Sequence, residues 1–380
     1  MTELLGSLLV EGRLQPGRLI FEAGRITAIE LDPSLANSKD VLPIVAPGLI
    51  DLHVHGFGGA DAEDDVAAMA LALARAGTTT FQPTLFPDEP VRLGATAKQV
   101  WAAAQVLDKT CARVLGLHLE GPFVNPLAAG ALPPDRLAIP SVGALAKILG
   151  PSTGDGHGIR TMTIAPELSG SRELIEELQR AGVIPSLGHS RATYAEAKAS
   201  HQSGRVGATH LFNAMPGIHH RELGLAGFAL TAGVAHAEII GDLAHVSGEA
   251  VDMALCARGP MELCLISDAL PGAGTGCDVF HWNGRSHAVH EGAAWFDGGS
   301  GEQLAGSMTG QLEAVRGLVR RGFVTVEEGL AMASEAPARA LGLEERLGVL
   351  RVGAHADLLV LEAENLGLQA VWVGGEAIPL

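Results

Sequence analysis

The sequence predicts a (β/α)8 barrel, an α/β fold, with a small β-sandwich domain assembled from both chain termini. Two observations carry that prediction. Short apolar runs of β type recur eight times in the middle of the chain at 49–53, 78–83, 113–120, 161–166, 183–189, 207–212, 237–241 and 263–268. Most of the gaps between them hold Ala/Leu/Glu/Arg segments at helical spacing, such as DDVAAMALALARAG, SRELIEELQRAG and GEAVDMALCARG. Alternating strands and helices imply a parallel sheet covered by helices, and eight units suit a closed barrel better than an open doubly wound sheet. The open alternative would want a glycine fingerprint after its first strand, and GFGGAD after that strand is not GxGxxG.

The ends of the chain have a different texture. LLGSLLVEG, GRLIFEAGRITAIEL and DVLPIVAPGLI alternate apolar and polar residues between Gly and Pro turns, as does GVLRVGAHADLLVLEAENLGLQAVWVGGEAI near the C-terminus. The expected division is residues 1–46 with 345–380 as the sandwich and 47–344 as the barrel. With 380 residues the chain accommodates a barrel of about 250 residues plus that appendage.

Composition narrows the function classes. A formal charge of −17 repels nucleic acid, so nucleic-acid binding is not expected. No run approaches the roughly 20 apolar residues of a membrane span. The N-terminal MTELLGSLLVEGRL carries Glu3 and Glu11 with no basic start, so a signal peptide is not expected either. The cysteines Cys111, Cys256, Cys264 and Cys277 show no CxxC spacing. A cytoplasmic protein with reduced thiols fits this usage.

Chemistry enters where metal-type side chains fall in the repeat. Catalytic groups of a parallel barrel sit at the C-terminal ends of its strands. His53 and His55 end the first run, His118 and Glu120 the third, His189 the fifth and Asp268 the eighth, while His210 lies in the sixth. Each has a plain alternative. Strand histidines can hydrogen-bond in a core, Glu120 can cap a helix or pair with a cation, and Asp268 can cap the next helix. Their shared register at strand ends favours a metal site instead. Imidazole and carboxylate ligands suit Zn2+, Fe2+, Mn2+ or Co2+, and three protein ligands leave a position open for water. Such a metal lowers the water's pKa toward about 7, and a carboxylate beside it, with Asp268 the candidate, takes the proton.

Longer motifs narrow this further. HLEGPFVNP (118–126), SLGHS (186–190), THLFNAM (209–215), HHRELGLAG (219–227), ISDA (266–269) and LAGSMT (304–309) resemble those of the N-acetylglucosamine-6-phosphate deacetylases of the amidohydrolase superfamily. PGLIDLHVHG and GAHADLLVLE are shared more widely in that superfamily, and the resemblance spans essentially the whole chain. It implies hydrolysis of N-acetylglucosamine 6-phosphate to glucosamine 6-phosphate and acetate. The alternative is another N-acetylated amino sugar, such as N-acetylgalactosamine 6-phosphate, or another N-acyl amide. By position, Glu120, His189 and His210 would bind the metal, Zn2+ or Fe2+, and Asp268 would be the acid/base. Asn213, Ala214, Arg221 and His245 would meet the sugar phosphate, with Arg221 reaching in from the partner subunit of a homodimer. Leu304, Ala305 and Gly306 would line the sugar pocket, together with Ala131 and Leu132.

Two features of this chain modify that expectation. Members with HxH at the first strand end bind two metals, so His53 and His55 imply a second cation with Glu120 bridging. After HLEGPFVNP the family usually runs into Gly-Ala-His, whereas Gly130, Ala131 and Leu132 stand here. Leucine thus replaces a histidine expected at the substrate amide, and losing such a donor typically costs about 10²–10³ in rate. The family's Asp-Gly-x-His is likewise altered to Asp242-Leu243-Ala244-His245.

Overall fold

A computed structural model describes residues 1–37, 41–150, 158–201, 204–231, 234–296 and 303–380. Eight parallel strands form its centre: β1 (Leu49–Val54), β2 (Thr78–Leu85), β3 (Leu117–Leu119), β4 (Ile159–Ile164), β5 (Ile184–Leu187), β6 (Gly207–Ala208), β7 (His236–Ile240) and β8 (Leu263–Ile266). They pair in sequence order from β1 to β8. Every residue of β1 and β2 is buried, as expected of strands covered on one face by helices and filling the barrel with the other. The run expected over 113–120 is broken at Gly116, whose φ of +118° disfavours L side chains and where a Cβ would lie 2.7 Å from that of Arg160. Arg113–Val114 therefore pairs with β2 separately from β3.

Helical segments alternate with these strands. Ser171–Arg180 shows how the pattern works, since Ser171, Leu174, Ile175 and Leu178 recur on one stripe and are buried. Gln311–Arg320 repeats it with Gln311, Leu312, Val315 and Leu318. One large apolar cluster joins helix residues such as Met69, Leu73, Leu174 and Leu318 to strand residues such as Phe81, Leu119, Ile164 and Leu265.

β8 and β1 meet without a ladder between them, and side chains knit the seam. The Gln311 amide donates to Ile50 O (2.7 Å) and Leu265 O (2.9 Å), one carbonyl from each strand. The Asp51 carboxylate accepts from the Ser267 N–H (3.2 Å) and the His53 N–H (3.3 Å), and the Asp268 N–H donates to His53 O (2.9 Å). Burial pushes the Asp51 carboxyl up to about 7, although these backbone donors oppose it.

Both chain ends build a second sheet. Its order is Glu376–Ile378, Leu368–Val373, Leu358–Leu361, Ile44–Pro47, Thr2–Val10, Arg13–Glu22 and Arg25–Leu31. Leu358–Leu361 runs antiparallel to Ile44–Pro47, which places the C-terminal strands beside the N-terminal ones. Leu8, Leu19, Phe21, Ile26, Val45 and Leu358 form a separate core there.

One element was not anticipated. After β8 the chain forms a four-stranded antiparallel sheet of Val279–Trp282, Arg285–His290, Ala293–Phe296 and Leu304–Ser307. Asn283-Gly284 and Glu291-Gly292 turn its hairpins with positive φ at both residues, as a type I′ turn requires. The Asn-Gly dipeptide inside VFHWNGRSHAVH was the signal for it in the sequence. Leu304–Gly306, expected along the sugar pocket, lies on the last strand of this sheet, and Ser307 N bonds Asp268 O at 3.0 Å.

Candidate metal centre and active site

Strand ends deliver the chemistry to one rim of the barrel. Glu120 follows β3 directly, while His189, His210 and Asp268 stand two residues beyond β5, β6 and β8. All three of the latter have left-handed backbones, with φ of 45°, 27° and 50°. Such conformations cost an L residue on the order of 1–3 kcal/mol and cluster where function demands a side-chain direction. Gly188 permits one of them: a Cβ there would meet Thr209 Cβ at 2.7 Å, so only glycine lets β5 end so close to β6.

The functional atoms converge. His189 Nε2 and His210 Nε2 lie 3.0 and 3.1 Å from Glu120 Oε1 and 3.0 Å from one another. On the other side of the same carboxylate, His53 Nε2 lies 3.4 Å from Oε1 and His55 Nε2 lies 3.3 Å from Oε2. Asp268 Oδ1 stands 3.4 Å from both of those nitrogens. The six side chains expected from the sequence are thus gathered at one point. Glu120 is 4% exposed and Asp268 14%, so Asp268 is the carboxylate that an incoming molecule reaches more readily.

Proton counting shows what this arrangement fits. His189 Nδ1 faces Ala128 O (2.9 Å), His55 Nδ1 faces Thr84 O (3.2 Å) and His53 Nδ1 faces Glu238 Oε2 (3.2 Å). Each Nδ1 therefore carries a proton, and each Nε2 is the atom turned inward, where a cation or a further proton can bind. The inward nitrogens of three imidazoles and the oxygens of two carboxylates then face one another in a buried space, a donor set that suits divalent cations. Two such donor sets share Glu120: Glu120, His189 and His210 in one, His53, His55 and Glu120 in the other.

Electrostatics agree with that reading. Burial would raise Glu120, but His189, His53 and His210 hold it well below the usual carboxylate range. Burial also opposes ionisation of Asp268, yet His53 and His55 bring it below its ordinary value, so it is an ionised base at neutral pH. Desolvation lowers His55 and His210, but the facing carboxylates outweigh it and lift them to about 10 and about 8. His53 goes the other way, to about 4, because desolvation dominates there. Protons on His55 and His210 are what a bound cation would displace.

The remaining expected residues are spread over the rim loops. His245 is clamped by Asp242, which accepts from its ring (Nδ1 to Oδ2, 2.7 Å) and from its backbone N–H. Burial lowers His245, but the bond and charge of Asp242 raise it overall. Asn213 uses its amide nitrogen on His210 O and Leu211 O, both at 3.3 Å, and Ala214 has a φ of 49° and accepts from the Ser190 N–H. Arg221 lies on an exposed loop, its guanidinium 3.0 Å from His220 Nε2. Leu132 is buried in a small apolar cluster with Val124 and Ala129, backed by Phe86 and Leu137, and so brings no donor to the rim.

Several residues with evident parts here were not singled out from the sequence. Phe86 packs edge-on against His55 and Trp282 lies tilted beside it, with ring centres 4.5 and 6.0 Å from its imidazole. They divide a cleft of about 200 Å³, reached by Ala131, Arg136, His287 and Ala305, from a hollow of about 390 Å³ that touches His55. Glu167 ties the rim together by accepting from Asn125, Ser190 and the Arg191 N–H. None of these carries a motif that separates it from an ordinary core or surface residue.

The profile of the amidohydrolase family matches residues 44–378. The chain belongs to the amidohydrolase family. Within that family of hydrolases its relatives include the N-acetylgalactosamine-6-phosphate deacetylase of Escherichia coli O157:H7, 33% identical over 379 residues, covering 97% of this chain and 96% of the relative. The N-acetylglucosamine-6-phosphate deacetylase of Homo sapiens is 34% identical over 377 residues, covering 96% and 89%. Among solved structures, that of an aspartate-to-alanine mutant of the Mycobacterium smegmatis N-acetyl-D-glucosamine-6-phosphate deacetylase, in complex with N-acetyl-D-glucosamine-6-phosphate, superposes with a TM-score of 0.87. It is 30% identical and covers 100% of this chain and 99% of its own. Among the described residues no helix is long and apolar enough to cross a membrane.

Proposed function

We propose that this chain hydrolyses the N-acetyl group of N-acetylglucosamine 6-phosphate, releasing acetate and glucosamine 6-phosphate. The observation that carries this reading is the convergence of His189 Nε2 and His210 Nε2 on one Glu120 oxygen, with Asp268 at the open side of the same group. Glu120, His189 and His210 would hold one divalent cation, Zn2+ or Fe2+ by ligand type, and His53 with His55 a second, Glu120 bridging. Such a cation supplies Lewis-acid polarisation of the amide carbonyl and acidifies water.

The chain's own residues do the rest. Asp268, ionised and 14% exposed, takes the proton of the attacking water as its oxygen bonds to the carbonyl carbon. It returns that proton to the amine nitrogen as the C–N bond breaks. Asn213, Ala214, His245 and Arg221 of the partner subunit bind the phosphate, so the working unit is a homodimer. Arg221 is compatible with this because it lies on an exposed loop. Leu304, Ala305, Gly306 and Ala131 border the sugar. We assign catalysis to residues 47–344, treat 1–46 with 345–380 as a sandwich domain beside them, and place the protein in the cytoplasm.

A second reading has a specific observation in its favour. Leu132 contributes only apolar surface where the family pattern has histidine, and one relative acts, by its name, on the galactosamine derivative. Acetate release should therefore be measured on N-acetylglucosamine, N-acetylgalactosamine and their 6-phosphates, with cation content determined on the same preparation. Preference for the glucosamine 6-phosphate supports the first reading. Preference for the galactosamine ester would replace it with the second, and equal turnover of unphosphorylated sugars would remove the phosphate site.

A further inference from the structure

Behind the cation positions lies a carboxylate that the reaction itself does not use. Glu238 sits in the middle of β7, is fully buried, and directs Oε2 at His53 Nδ1 (3.2 Å) and at the His210 backbone N–H (3.4 Å). Its other oxygen is buried without a partner. On the far side of the same imidazole, His53 Nε2 lies 3.4 Å from His55 Nε2, from Glu120 Oε1 and from Asp268 Oδ1. The ring is thus held between a carboxylate at its back and a set of lone-pair donors at its front.

We propose that Glu238 is the positioning residue of the second cation site. Building on the two-cation reading above, it accepts the His53 Nδ1–H, fixes that tautomer, and turns the Nε2 lone pair toward the gap bounded by His55, Glu120 and Asp268. Outer carboxylates of this kind orient a ligating imidazole and raise its basicity. Charge points the same way. The ion-pair partners of Glu120, Asp268 and Glu238 among the described residues are histidines alone. Among the described residues no Lys or Arg pairs with these three carboxylates, so their charge is left to the histidines and to bound cations.

His53, His118 and Glu238 also lie close enough together to resemble a third cation site. Two observations count against it. His118 has both nitrogens committed, Nδ1 to Leu52 O (3.2 Å) and Nε2 to Thr163 Oγ1 (2.8 Å). His53 would also have to bind through both nitrogens at once, which requires an imidazolate. Glu238 supports a ligand and is not one.

Titration of the cation-free protein with Zn2+ alone, by calorimetry and elemental analysis, tests the assignment. The native chain should take up two Zn2+ per subunit. Glu238→Gln keeps an acceptor for His53 but loses the charge, and should weaken the second Zn2+ about 10–100-fold while leaving the first unchanged. Glu238→Leu should bind one. Circular dichroism and thermal midpoints check that the variants fold, and Glu238→Gln decides should the leucine variant not. Two Zn2+ bound by Glu238→Gln with native affinities would overturn the role of Glu238 alone. A native protein binding one Zn2+ would overturn the two-cation reading, and this inference with it.

Discussion

At the residue scale the proposed activity rests on Asp268, the more open of the two acids facing His53 and His55. Asparagine keeps its shape but cannot accept the proton of water. Asp268→Asn is expected to lower kcat by at least about 10²-fold while the cation content stays near native, because Glu120, His189 and His210 are untouched. Equal turnover in that variant would remove Asp268 from its role. Arg221, proposed to bind the phosphate, should affect a different constant. A charge-assisted bond to a phosphate contributes about 1.5–3 kcal/mol, so Arg221→Ala should raise KM for the 6-phosphate sugar roughly 10–100-fold. Its KM for the unphosphorylated sugar should stay unchanged, and steady-state kinetics on the two substrates separates the effects. A KM unchanged for both would detach Arg221 from the phosphate.

At the scale of elements, the seam between β8 and β1 is the structural weak point of the rim. Gln311 donates to both Ile50 O and Leu265 O, and it is 1% exposed. Gln311→Met fills the same space and leaves two buried carbonyls without those donors. Each unsatisfied group costs about 1–3 kcal/mol, so the variant should lose on the order of 2–5 kcal/mol in urea unfolding. It should also lower kcat, since Asp268 hangs from that seam through its N–H to His53 O. Native stability in the variant would show that the seam does not depend on Gln311. The sheet inserted after β8 belongs to this scale too. Its Trp282 walls His55 and its last strand is tied to Asp268, so an element outside the eight-fold repeat shapes the entrance to the site.

For the whole molecule, cation binding and folding are linked. A cation held by Glu120, His189 and His210 would tie the ends of three strands together, and its loss would remove those bonds. A chelator should therefore abolish turnover and lower the thermal midpoint together, and adding Zn2+ back should restore both. Cation affinity should also fall with pH. His55 and His210, lifted to about 10 and about 8 without a cation, hold protons at neutral pH that binding must release. Competition titrations at pH 6 and pH 8 should thus show tighter Zn2+ binding at pH 8. The opposite order would contradict the ligand set. Turnover that survived complete chelation would end the cation-dependent reading altogether.

The sequence by itself determined the barrel, the sheet drawn from both termini and the register of the side chains that bear the chemistry. It could do so because strand and helix periodicity are local properties, and because His53, Glu120, His189 and Asp268 stand at or just beyond the ends of local runs. Only the tertiary structure decided which lone pairs face one another, that Leu132 turns into an apolar cluster, and that Glu238 backs His53. It also showed Gln311 closing the seam and a four-stranded sheet walling the site. Those facts depend on contacts that close only in three dimensions, some of them between residues more than 100 positions apart, such as Glu238 with His53 or Gln311 with Ile50. A buried glutamate in an apolar strand and a glutamine opening a helix have no local pattern that reveals what they touch. Burial and hydrogen-bond partnership are properties of the closed barrel, not of any stretch of chain within it.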